Sequence, residues 1–244
     1  MQVSGLTHSY AANRGAPAAA SPQTLTEVYA RRAAAIDRLH AAQTLESVAA
    51  LRDKYATPVF GRVSVWSLVQ MLAQCIDPTD QRLFATSQQV HVLQILEAME
   101  NENAATEEFV LAALVHDLGK VLLLTGEAPE NVVCMNTPIG SPAPGAGFGN
   151  CVFQWNHDEF AWSRLRHHLP EGVAWLVRYH STMPACAQYM DARDREHAQR
   201  YLRPFARYDH HTKSPLFLPA KRIDHYRHVM SMRKRNHMLK KRLN

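Results

Sequence analysis

Residues 114–124 read Leu-Val-His-Asp-Leu-Gly-Lys-Val-Leu-Leu-Leu. Phe109, Ala112, Ala113, His116 and Lys120 fall at helical spacing, and Glu107 and Glu108 suit a helix N-terminus. An imidazole, a carboxylate and an ammonium are thus drawn into a segment that is otherwise core. Burying such groups without partners costs several kcal/mol. Whatever this chain folds into must therefore bring polar partners to His116, Asp117 and Lys120.

The helical period recurs along the chain. Val65, Leu68, Val69, Leu72 and Ile76 share a face behind a candidate N-cap, Ser64. Val92, Ile95, Leu96 and Met99 repeat the spacing, as do Val173, Leu176, Val177 and His180. Ala198, Tyr201, Leu202, Phe205 and Asp209 do so again, with Pro204 predicting a kink or break. Alternating strand-like stretches are scarce. Residues 125–150 are rich in Gly and Pro and read as a long loop, a feature that tends to be functional inside a compact domain. The expectation is an all-α fold with one domain over 24–230. A poorly ordered arm rich in Ala, Ser, Pro and Gly precedes it at 1–23, and a basic tail follows at 231–244.

A chain of 244 residues with 46% hydrophobic content can bury one sizeable core. Six of its 27 basic residues fall in 233–242, so the net +5 is local and the body is near neutral. A solvated tail is the expected reading, and nucleic acid is not an expected partner. No apolar run reaches the roughly 18 residues of a membrane span. The first residues lack a cationic stretch followed by an apolar one, so no secretory signal is expected. Cys75, Cys134, Cys151 and Cys186 form no C-x-x-C pair, which fits a reduced chain in the cytoplasm.

Three apolar faces carry a polar residue: His116 with Asp117 beside it, His180, and Asp209. A lone buried histidine is ordinarily a hydrogen-bonded core residue. Several converging on one core can instead be satisfied by metal ions. The string His116-Asp117-Leu-Gly-Lys120 resembles the HD-domain superfamily, an all-α bundle that holds metal with His, His-Asp and Asp. That resemblance adds His91 upstream and His157 between, giving the order His91, His116-Asp117, His157, His180, Asp209 of a two-metal site. Four imidazoles and two carboxylates suit iron, manganese or zinc. Asp117 can bridge, because a carboxylate has two oxygens, and a bridged pair lies roughly 3.5–4 Å apart. Ligand type leaves oxygen chemistry and hydrolysis both open.

Further strings narrow the resemblance. Residues 154–170 (QWNHDEFAWSRLRHHLP) are similar to the W-x-H-D-E-Y segment of myo-inositol oxygenases. Residues 175–184 (WLVRYHSTMP) are similar to their I-R-[FY]-H-S-x-x-P segment, and 205–215 (FARYDHHTKSP) to F-x-x-[FY]-D-x-x-[ST]-K. Residues 41–55 (AAQTLESVAALRDKY) and 75–80 (CIDPTD) resemble H-x-Q-T-V-D-F-V and V-D-x-S-D. The matches keep the family's order over about residues 28 to 228.

The resemblance implies two irons per chain, Fe(II) and Fe(III). One would be held by His91, His116, Asp117 and Asp209, the other by Asp117, His157 and His180. Lys120 would reach the substrate oxygen. Asp77, Thr79, Ser181 and Lys213 match positions near the substrate, while Asp158 and Glu159 start a helix or orient ligands. The implied reaction is cleavage of a C–C bond in a cyclic polyol or related diol by O2, as in conversion of myo-inositol to D-glucuronate, by a chain expected to act as a monomer. One loop departs from the family. Where it has V-V-G-D-T-F-P-V-G, this chain has Val132-Val-Cys-Met-Asn-Thr-Pro-Ile-Gly140, so Cys134 and Met135 occupy two substrate-facing places and a carboxylate is lost. The alternatives are an HD-domain metal-dependent phosphohydrolase and a phosphonate-cleaving HD oxygenase, the latter favoured by an excess of basic residues in the pocket.

Overall fold

The computed structural model describes residues 24–83 and 86–230. The arm at 1–23 and the tail at 231–244 lie outside the described residues. Thr24 starts the first helix: its hydroxyl accepts from the Glu27 amide, and the Glu27 carboxylate accepts from the Thr24 amide at 2.9 Å. That helix, α1 (Leu25–Ala41), is followed by α2 (Leu45–Lys54), capped reciprocally by Thr44 and Ser47. Ser64 caps α3 (Val65–Met71), Ser87 caps α4 (Gln88–Asn101) and Thr106 caps α5 (Glu107–Val115). The chain continues through α6 (His157–Leu165), α7 (Glu171–Tyr179), α8 (Ala192–His197) and α9 (Arg203–His211). The fold is all-α. Among the described residues strand-like pairing is limited to three isolated bridges, Ile76 with Ser87, Asn136 with Thr182 and Pro138 with Phe153. No described helix is long and apolar enough to cross a membrane, and all four cysteines are free and buried.

The core is built around α5. Residues Val110 to Val115 are all buried, so this helix is apolar on every side and must be surrounded. α4 and α7 pack against it. Val92, Ile95, Leu96 and Met99 of α4, spaced for one face, are completely inaccessible. Polar residues near the ends of these central helices therefore point at one another inside the protein.

Two local expectations are corrected and a third takes a definite form. The helix expected to run through Phe109 to Lys120 ends at Val115; Asp117 leaves helical geometry (φ −95°, ψ 9°), and a 3₁₀ segment covers Leu118–Thr125. The tighter winding lets Gly119 lie directly on the backbone of His157. Ile76 does not continue the α3 face. It lies past a 3₁₀ turn at Leu72–Gln74 and is 47% exposed. Near Pro204 the expected kink takes the form of a π turn at Ala198–Leu202, which passes without a break into α9, with Pro204 in the first turn of that segment. Residues 125–150 contain only short 3₁₀ turns, at Pro129–Asn131 and Phe148–Asn150, yet Val132, Cys134 and Asn136 are buried.

Candidate metal centre

Six side chains from five segments meet in the core. His91 comes from the first turn of α4, and His116 is the residue that closes α5. Asp117 sits at the turn into the 3₁₀ segment. His157 is the first residue of α6, where Asn156 Oδ1 accepts from the Asp158 and Glu159 amides at 3.0 and 3.3 Å. His180 closes α7 and Asp209 lies on α9. The rings form a row, with centroids 5.6 Å apart from His91 to His116, 5.0 Å to His180 and 5.3 Å on to His157.

Asp117 stands between two groups of imidazoles. Its Oδ2 is 3.3 Å from His116 Nε2, while its Oδ1 is 3.2 Å from His157 Nε2 and 3.5 Å from His180 Nε2. Asp209 Oδ1 is 3.0 Å from His91 Nε2 and 3.9 Å from His116 Nε2. Three sets of candidate ligand atoms lie within 4.8 Å of one another: His91, His116 and Asp209; His116, Asp117 and His180; His157, Asp158 and His180. The last set includes Asp158, whose Oδ1 is 3.0 Å from His157 Nε2 and whose other oxygen accepts from Ser181 Oγ.

The rings are prepared to present lone pairs. His116 Nδ1 faces the Ala113 carbonyl at 2.9 Å, His157 Nδ1 the Val132 carbonyl at 2.6 Å and His180 Nδ1 the Val177 carbonyl at 3.2 Å. A carbonyl only accepts, so we assign the proton to Nδ1 in each ring and leave Nε2 as a ligand atom. The Nε2 atoms of His116 and His157 are buried and have no hydrogen-bond partner. Their lone pairs confront carboxylate oxygens, which is repulsive unless a cation lies between. The residues present therefore fit bound metal.

The surrounding charges are consistent with that reading. Burial opposes ionisation of Asp117, but the Lys120 ammonium 3.1 Å away holds its carboxyl well below the usual range. Asp209 is held down in the same way, by Lys213 and His91. Burial pushes His91 down to about 4. For His180 burial is outweighed by Asp158 and Asp117, which raise it to about 9 in the absence of a cation. Lys120 Nζ has three acceptors: Asp77 Oδ2 at 3.0 Å, Asp117 Oδ2 at 3.1 Å and Gln88 Oε1 at 3.1 Å. Burial would lower its pKa, but Asp117 and Asp77 raise it, and the group is an ammonium.

Beside the nest lies a cavity of about 420 Å³. It is lined by every substrate-facing residue expected from the sequence: Asp77, Thr79, Lys120, Cys134, Met135, Ser181 and Lys213. Asp77 Oδ1 accepts from the Thr79 amide and hydroxyl at 2.9 and 2.6 Å, which fixes that turn. Lys213 is partly buried, with its side chain largely covered, and pairs with Asp80 Oδ2 at 2.9 Å. Sequence reasoning missed Gln88, Asp80, Arg82 and His210. Asp80 stood in the CIDPTD string, but nothing in the sequence singled out Gln88, whose part is to accept from Lys120 across the core.

An all-α chain that buries four histidines and three carboxylates in mutual contact beside a cavity is, by class, a helical protein with a candidate metal site. Within that class the family can be named. The family model for myo-inositol oxygenase matches residues 30–140 and 128–233, and the chain belongs to the myo-inositol oxygenase family. It is 27% identical over 227 residues to the probable inositol oxygenase of Oryza sativa subsp. japonica, covering 77% of this chain and 73% of that one. Inositol oxygenase 1 of Arabidopsis thaliana is likewise 27% identical, over 77% of this chain and 72% of its own. Inositol oxygenase of Rattus norvegicus is 26% identical over 180 residues, 60% of this chain and 62% of that one.

Proposed function

We propose that this protein is a cytoplasmic diiron oxygenase that uses O2 to cleave a C–C bond in a cyclic polyol. The reading rests on one observation above the rest. The two oxygens of Asp117 face separate imidazole groups, and two of those imidazoles have buried Nε2 atoms without partners. His91, His116, Asp117 and Asp209 would hold one iron, and Asp117, His157 and His180 the other. The bound pair would supply O2 activation and polarise a diol hydroxyl.

The chain's own residues contribute orientation and charge. Lys120, an ammonium fixed among three acceptors, stands beside the nest and acts on the substrate oxygen nearest it through its positive charge. It stabilises negative charge there and accepts no proton. Thr79 and Asp77 offer hydroxyl-binding groups on one wall, with Ser181 and Lys213 also facing the cavity. Burial of the nest, with His91 and His116 inaccessible and His157 and Asp117 nearly so, keeps bulk water from the candidate ligand side chains. A phosphonate or phosphate ester would call for free cations. Here Arg82 and Lys213 both pair with Asp80.

The test is metal analysis and turnover of the iron-loaded chain with myo-inositol. About two irons per chain and incorporation of label from ¹⁸O2 into an acid product are expected. An unlabelled product, or turnover of phosphate esters without oxygen, overturns the reading in favour of a hydrolase.

A further inference from the structure

α1 forms one wall of the cavity through Ala33 and Asp37. Its position is fixed by its last turn. His40 Nδ1 donates to the Glu130 carbonyl at 2.7 Å, and the His40 carbonyl accepts from Gln154 Nε2 at 2.9 Å. Just beyond the helix, Gln43 Nε2 donates to the Trp155 carbonyl at 3.0 Å, and Gln43 Oε1 accepts from the Trp155 amide at 2.7 Å. These bonds tie α1 to the segments that lead into Cys134 and His157. Asp37, one turn before His40, is exposed to solvent, and the anchored helix thereby sets its backbone at the rim of the cavity.

The cavity carboxylates differ in what they face. Asp117 and Asp209 belong to the nest. Asp77 is neutralised by Lys120 at 3.0 Å, and Asp80 by Lys213 and Arg82, each at 2.9 Å. Asp37 has no ion pair with any described residue. Its neighbour is the Cys134 thiol, which burial and the Asp37 carboxylate keep protonated. A lining carboxylate with no cation beside it accepts hydrogen bonds and repels anions. Two adjacent hydroxyls match its two oxygens.

We propose that Asp37 is a specificity-determining residue that accepts from ring hydroxyls on the side of the substrate away from the His/Asp nest. The substrate class is then a neutral ring bearing several hydroxyls, rather than a simple diol or an anionic ester. This deepens the polyol-oxygenase reading above and rests on it.

The test uses the iron-loaded full chain, with oxygen uptake on myo-inositol and on a series of mono-deoxy inositols. Asp37→Ala should raise KM for myo-inositol about tenfold, equivalent to about 1.4 kcal/mol, with kcat falling less than about threefold. Asp37→Asn, which keeps an acceptor, should lie between. One deoxy analogue should bind more weakly to the wild type and show no further loss in Asp37→Ala, because the hydroxyl and its acceptor act as a pair. Active wild type with an unchanged KM in Asp37→Ala overturns the assignment and leaves the oxygenase reading intact. A fall in kcat at constant KM also overturns it, since that marks a structural effect. No oxygen uptake by the wild type on any polyol removes both.

Discussion

Gly119 lies where the 3₁₀ segment crosses the first turn of α6. A Cβ placed there would meet the His157 carbonyl oxygen at 2.0 Å and the His157 Cα and carbonyl carbon at 2.6 Å. Tolerable contacts begin at about 3.0 Å, so Gly119→Ala requires the backbones to part by about 1 Å. His157 cannot yield freely. Its amide bonds the Val132 carbonyl at 3.0 Å and its ring bonds the same oxygen at 2.6 Å. Overpacking of a core costs about 1–3 kcal/mol, and a backbone obstacle points to the upper end. For a chain of this size about 3 kcal/mol lowers Tm by roughly 6–12 °C. The same displacement takes His157 Nε2 away from Asp117 Oδ1, now 3.2 Å distant, so on the proposed two-iron reading iron content should fall from about two to about one per chain. Calorimetry of the metal-free protein and iron analysis of the loaded one read the two effects separately. Gly149→Ala, where a Cβ meets nothing within 4 Å, serves as the neutral control. A Gly119→Ala variant that melts within about 2 °C of wild type and holds full metal would refute the packing argument.

Other perturbations give distinct signatures. Asp117→Asn removes the charge shared by both halves of the nest and should abolish binding of both metals; retained stoichiometry would exclude Asp117 as a bridge. Arg178→Ala strips Glu159 of its close partner at 2.5 Å and the Trp162 ring of a guanidinium 3.8 Å from its centroid, leaving Glu159 only half-exposed Arg52 at 3.2 Å. A loss of about 3 kcal/mol is expected in denaturant melts, with Arg178→Met milder. Burial works against ionisation of Glu127, but Asn131, Lys54 and Tyr55 together hold it down to about 2. Its charged form is thus favoured by folding, so its contribution is complete above the ordinary value of 4.5 and fades as pH falls from there toward about 2. Glu127→Gln should flatten stability over that interval and remove on the order of 2 kcal/mol at pH 7, discounted for the exposed Lys54 partner. Chelation of the loaded protein should lower stability by about 4 kcal/mol where free metal had stood near a thousand times its Kd, and readdition should restore it.

Much of the helical framework was legible because apolar spacing reports directly on burial. Val92, Ile95, Leu96 and Met99 share a face in the sequence and are all inaccessible in the fold. Ser64 caps α3 and Glu107 and Glu108 open α5, as their side-chain chemistry requires. The convergence of the histidines was partly legible, since His116 and His180 interrupt apolar faces. The end of α5 was not. Periodicity alone treats Lys120 as the next turn of one helix, whereas the chain tightens after Asp117 to bring Gly119 against His157. Gln88 and Asp37 were equally hidden, because each acts on residues that are distant in the chain.

From sequence alone came the all-α character, the helices that must be central, and the polar residues those helices cannot bury without partners. These follow from local spacing and from the cost of desolvating charge. Only the tertiary structure decided which oxygen of Asp117 faces which imidazole, which carboxylates are neutralised, and that α1 brings Asp37 to the edge of the cavity. Those are relations between atoms on separate helices, fixed by how the helices pack, and no periodicity within one helix records them.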